Sequence, residues 1–238
     1  MSASGVRLAI RYGYVPCQVG LCGPGTNKAK KIIADYLKGK KCRFEEVRKI
    51  LESFKGAYSY YRLIADANEI SDFLDKKVVE AYWTGNNLLE KVSVEKFREM
   101  MGAEFLPLGK MRTDKIKKLP KNAIAFHAFH VLFIGSVTGK FQATEKGLDI
   151  CRPGWGKILA IKKDKIIALC QPINFDKKIK LGKSVRMFVN WNKNILPDTK
   201  VGDWVSIHWN TAIEKLNSVK LKNIKRYTNK TLKIINKK

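Results

Sequence analysis

The chain has 238 residues, 45% of them hydrophobic and 10% aromatic, which is enough for one large domain or two modest ones with packed cores. That composition excludes a globally disordered chain, and five cysteines spread over this length exclude a small disulfide scaffold. Lys and Arg number 47 against 21 Asp and Glu, a formal net charge of +26 and a pI near 9.9, so an acidic partner is expected.

The first segment with chemical potential is Arg11 to Thr26, which reads as a Gly/Pro-rich loop holding Cys17 and Cys22. Gly20 and Gly25 have phosphate-loop spacing, but Thr26-Asn27-Lys28 follows where such a loop needs Lys and then Ser or Thr. Cys17 and Cys22 also lack the two-residue spacing of a zinc knuckle, so each is a candidate only as an additional thiolate. From Asn27 to about Glu99 apolar residues recur at helical spacing, among them Ile33, Leu37, Val47, Leu51, Val78 and Tyr82, and predict a helical bundle. Thr26 or Asn27 and then Ser93 are placed to cap helices, and Gly102 to end one. Pro107, Gly109 and Pro120 predict a long connection from Gly102 to Asn122.

Ala123 to Val137 is the longest apolar stretch. It falls short of the roughly 18 to 20 residues that cross a bilayer and is interrupted by His127 and His130, so no membrane span is expected. The two histidines share a face only on a helix; on a strand they oppose each other. They are either ordinary core histidines or part of a site with Cys151. From Cys151 onward, short β-rich runs at Lys157–Ile161, Ile166–Cys170, Val185–Trp191 and Trp204–Trp209 predict a small barrel or sandwich. Lys163-Asp164 fits a hairpin and Gly202-Asp203 a turn. After Ala212 the pattern becomes helical and basic. Residues 151–238 carry 21 bases and 5 acids, whereas residues 41–100 carry 11 of each, so the positive excess lies at the C-terminal end. The expected fold class is α+β, with a mainly helical domain over 1–149 and a barrel with a basic C-terminal helix over 150–238.

Cys151, with Arg152 and Lys157 nearby, is expected to have a lowered thiol pKa and to be open to a soft metal ion. The segment Cys151-Arg152-Pro153-Gly154-Trp155-Gly156-Lys157-Ile158 and the segment Val201 to Leu216, VGDWVSIHWNTAIEKL, together resemble the two ends of the HypC/HupF family of nickel-iron hydrogenase maturation chaperones. That resemblance implies a small OB-like barrel whose leading cysteine, here Cys151, holds an iron centre or its precursor near a histidine, here His208. It also implies a protein partner: a maturation protein or a hydrogenase large-subunit precursor. The whole arrangement, including the CGPG loop at Cys22 and the FHxFH run at Phe126, further resembles a family of unknown function that carries such a barrel.

The expected site therefore comprises Cys151, His208 and one or both of His127 and His130, with Cys22 or Cys17 as an extra thiolate. Mixed Cys/His ligation suits iron, nickel or zinc. Trp155, Trp204 and Trp209 are expected to shield it from water. The expected function is a non-enzymatic accessory protein for metallocentre assembly. Nucleic-acid binding through the basic barrel is the alternative, and a metal-dependent hydrolase comes third, because no general base stands out among the acids. The odd cysteine count and the absence of a charged-then-apolar leader at Met1 lead to a cytoplasmic expectation.

Overall fold

The computed structural model describes residues 3–106, 113–135 and 143–237 and shows a mixed α+β protein. Pro107, Gly109 and the end of the apolar stretch at Val137 lie outside the described residues.

The first helix, α1 (Ala3–Gln18), absorbs Arg11 to Gln18, which the sequence placed in a loop. Its buried residues Val6, Ala9, Ile10, Gly13 and Cys17 fall on one face at helical spacing, and burial of that face outweighs the breaking tendency of Gly13 and Pro16. Gly5 and Gly13 permit close packing: a Cβ on Gly5 would meet the Leu74 carbonyl, and one on Gly13 would lie 2.9 Å from the Phe54 ring. The expected bundle follows as α2 (Asn27–Leu37), α3 (Phe44–Glu52), α4 (Lys55–Ala67), α5 (Lys76–Trp83) and α6 (Val94–Met100). Thr26 caps α2 by accepting from Ala29 N, and Ser93 caps α6 by accepting from Lys96 N. Gly102 does not end α6, because the chain runs on into a π-helical turn at Met101–Phe105 that buries Met101 and Phe105. The connection expected to be irregular contains a short helix, α7 (Thr113–Lys117). Then come α8 (His127–Phe129), extended by a π-helical turn His130–Ile134, and α9 (Glu145–Cys151).

The remaining chain forms β1 (Gly154–Lys162), β2 (Lys165–Cys170), a separate hairpin of β3 (Ile173–Phe175) and β4 (Ile179–Leu181), then β5 (Val185–Asn190), β6 (Trp204–His208) and β7 (Thr211–Lys215). Five of these close into a barrel in the order β1-β2-β5-β7-β6, with β6 antiparallel to β1 and β5 parallel to β7. Lys162 pairs with Lys165, so Lys163-Asp164 is the expected two-residue hairpin. The helical pattern begins later than expected: Thr211–Lys215 is the closing strand, and α10 (Ser218–Ile235) starts only after Asn217, which caps it.

The division at residue 149 does not separate two cores. One apolar cluster runs from Val6 on α1 to Ile234 on α10 and includes barrel residues such as Ile158, Val205 and Ile213. Polar bonds cross the same junction, as when the Tyr12 hydroxyl of α1 donates to Glu214 of β7 at 2.8 Å and bonds Ser206 of β6 at 2.9 Å. Among the described residues no helix is long and apolar enough to cross a membrane.

Candidate metal centre

Three of the expected residues converge at the junction of helices and barrel. His127 opens α8, Cys151 ends α9, and His208 ends β6. One ligand atom from each lies within 4.8 Å of the others. A metal held tetrahedrally by two nitrogens and a sulfur needs those atoms about 3.3 to 3.6 Å apart, so the triad closes on an ion with a shift of about 1 Å. The tight turn Trp209-Asn210, with φ of 50° and 52°, follows His208, and its Trp209 N–H donates to Ile150 O at 2.7 Å. That bond ties the end of β6 to the helix carrying Cys151.

The two imidazoles are oriented from behind. Pro16 has no N–H to give the Tyr12 carbonyl one helical turn back, and His208 Nδ1 donates to that carbonyl at 3.0 Å instead. The proton is thereby fixed on Nδ1, and among the described residues the buried Nε2 has no well-formed hydrogen bond, although the Cys151 backbone lies near the ring. Tyr82 plays the corresponding part for His127. Its hydroxyl proton goes to Gly56 O at 2.8 Å, so at 2.8 Å from His127 Nδ1 the phenol oxygen accepts the ring proton. The Cys151 carbonyl lies 3.2 Å from His127 Nε2 and accepts a hydrogen bond from that nitrogen when the ring proton sits there, so a metal at Nε2 takes the place of that bond. Trp83 packs against both rings, with centroids 4.3 Å from His127 and 5.0 Å from His208, and Tyr12 stacks on Trp83 at 4.4 Å.

Burial sets the charge states. It holds His208 and His130 down to about pH 4, the Lys115 ammonium adding to the effect at His130. His127 is lowered by burial and by the neighbouring His208 and His130. Cys151 departs from expectation. Burial pushes its thiol up, the nearby Cys22 adds to that, and a hydrogen bond from Trp209 only opposes it. Arg152 does not activate the thiol, because its guanidinium is buried against Asp149 at 2.8 Å and donates to Gln171 O at 2.7 Å.

The triad opens onto a cavity of about 290 Å³ that is also lined by His130 and Cys22. His130 stacks on His127 with centroids 5.9 Å apart and bonds the Tyr60 hydroxyl at 3.0 Å, outside the triad. Cys17 is the exception among the expected ligands: fully buried on α1, it does not line the cavity, and burial raises its thiol pKa. Of the expected tryptophan shell only Trp209 lines it; Trp155 and Trp204 lie under the Lys225 ammonium of α10.

The chain belongs, over residues 1–238, to DUF6390, a family of unknown function. No curated protein and no solved structure matches it. In this DUF6390 member the residues that sequence reasoning missed are Tyr12, Tyr82 and Trp83, which orient or pack the histidines from α1 and α5. Pro16 was the available signal, since a proline inside an amphipathic helix frees a carbonyl for an outside donor.

Proposed function

We propose that this protein is a metal-binding accessory protein whose centre is His127, Cys151 and His208, holding iron, nickel or zinc. The supporting observation is the His208 ring, buried at 2% exposure, with Nδ1 committed to Tyr12 O and Nε2 without a well-formed hydrogen bond. An orphaned buried polar atom costs about 1–3 kcal/mol, a cost that coordination removes. A backbone carbonyl holding the far nitrogen is the usual outer support of a ligating histidine. Two imidazoles and a thiolate suit borderline metals, and three protein ligands leave a fourth position open.

Cys151 and His208, the positions carried by the HypC/HupF resemblance, are two of the three triad members. With β3 and β4 set aside, the barrel's strands follow the order 1-2-3-5-4 with the third and fifth parallel, which supports the OB-like assignment. Both features favour metallocentre assembly, with hydrogenase maturation as the first context, iron as cargo and a maturation protein or hydrogenase precursor as partner, and the unpaired thiols fit a cytoplasmic setting. Elemental analysis of protein purified without oxygen or chelator tests the centre. Wild type and Cys17→Ala retain near-stoichiometric metal, while Cys151→Ala and His208→Ala fall to about a tenth or less. Metal-free wild type that also refuses iron, nickel and zinc on reconstitution overturns the proposal.

A second function, nucleic-acid binding, draws support from the outer barrel face, where Phe188 is 60% exposed on the same strand as Arg186. Its mark is oligonucleotide binding that weakens steeply with salt.

A further inference from the structure

Charge and wall chemistry together specify what the open position of the centre accepts. A divalent ion on two neutral imidazoles and one thiolate keeps one positive charge in excess. Among the described residues no carboxylate lines the cavity, and its one charged side chain, Lys55, has the same sign as the ion. An uncompensated charge in a buried site is costly, so the fourth ligand is a monoanion. Cys22 also lines the cavity, but its sulfur is not among the ligand atoms that lie within 4.8 Å of one another, so the position is left to a donor from outside.

The surroundings of the two imidazoles select the kind of monoanion. The polar hydrogens packed there are already committed: the Tyr82 hydroxyl donates to Gly56 O at 2.8 Å, Trp83 Nε1 to the Tyr61 hydroxyl at 2.6 Å and His208 Nδ1 to Tyr12 O at 3.0 Å. A carboxylate on the ion would leave its second oxygen without one of these donors, and a phosphate would leave more oxygens so. A thiolate brings a single soft atom that is a weak acceptor, and its carbon chain begins at the next atom. The space which that chain enters is apolar over most of its wall, with Ala9, Leu21, Leu51, Ala57 and Val131 beside aromatic rings. At about 290 Å³ it sits at the lower end of small-molecule sites, which run to roughly 300–1,000 Å³. Given the His127, Cys151 and His208 centre, on which this reading depends, we infer that the cavity binds a small alkyl thiol as its thiolate, with the sulfur on the open position and the alkyl chain against the apolar wall. The S–H proton passes to solvent as the sulfur binds, so each ligand bound releases one proton.

Titration of the cobalt-loaded full chain with straight-chain thiols from ethanethiol to hexanethiol, and with carboxylates, amines and alcohols of the same lengths, tests it. Thiols bind about tenfold or more tighter than the matching carboxylates, amines and alcohols, and each strengthens the cobalt thiolate absorption. Affinity rises about fourfold per added methylene until the cavity is full. Ala57→Phe, at a half-buried position on the wall, leaves ethanethiol binding unchanged and removes the gain at the longer chains. Carboxylate affinity equal to or above that of the matching thiol, affinity independent of chain length, or cobalt carried off the protein by the thiol overturns the inference. A Cys151-dependent cobalt thiolate band that responds to no added thiol overturns it while sparing the centre. Absence of that band before any thiol is added sinks the centre, and the inference with it.

Discussion

Metal-free protein loses most of its stability between pH 7 and pH 4.5, well above the range in which ordinary carboxylates titrate. An unfolded histidine takes up a proton near pH 6.5, whereas folded His130 and His208 do so only at about pH 4. Across that window the unfolded chain binds more protons, so acid favours it; the stability tied to neutral rings is complete above pH 6.5 and gone below pH 4. Each of these two rings contributes about 2–3 kcal/mol to the loss by pH 4.5, and His127, also lowered by burial and by the neighbouring histidines, acts in the same direction. Against a typical total of about 5–15 kcal/mol, that is enough to unfold the chain. Among the described residues no carboxylate lines the cavity that the three rings share: His127 faces His130 and His208, and His130 faces the Lys115 ammonium. Urea denaturation midpoints measured at half-unit pH steps on chelator-treated protein check the result. A midpoint that stays level from pH 7 to 5 contradicts it.

Loading with zinc releases one proton per ion, and affinity falls about tenfold for each unit of pH lost between 8 and 6. The proton comes from Cys151, whose thiol burial keeps protonated in the metal-free site. The histidines release none, because their rings are already neutral at these pH values. Calorimetry in buffers of different ionisation enthalpy counts the protons directly. Release of none would mean that the sulfur is not a ligand, and release of two would bring in a second thiol, with Cys22 nearest in the cavity. Cys151→Ala removes both the proton and at least about a hundredfold of affinity.

What was legible in the sequence was local or carried by unusual residues. Thr26 and Ser93 announced their helices because capping is a contact three residues long. The barrel strands showed through β-branched runs punctuated by Lys163-Asp164 and Gly202-Asp203. His127, His130 and His208 stood out because the chain has only three histidines, and Cys151 through the paired segments that resemble the two ends of the HypC/HupF family. The unread features depend on distant partners. α1 looked like a loop because Gly13 and Pro16 disfavour a helix, and only packing against Phe54 and Leu74 makes Gly5 and Gly13 assets. The bond from His208 to Tyr12 O spans 196 positions, and nothing within a short window pairs those residues. The Cys151 thiol was misjudged because proximity in sequence put Arg152 beside it, whereas the fold turns that guanidinium to Asp149 and encloses the sulfur.

In the proposed centre one sulfur and two imidazoles meet on a single ion at the junction of α8, α9 and β6. X-ray absorption at the zinc edge of the loaded protein tests it most directly. The expected first shell has one sulfur at about 2.3 Å and two imidazole nitrogens at about 2.0–2.1 Å, with the sulfur gone in Cys151→Ala. A shell of nitrogen and oxygen alone, or a sulfur that survives the substitution, would contradict the account.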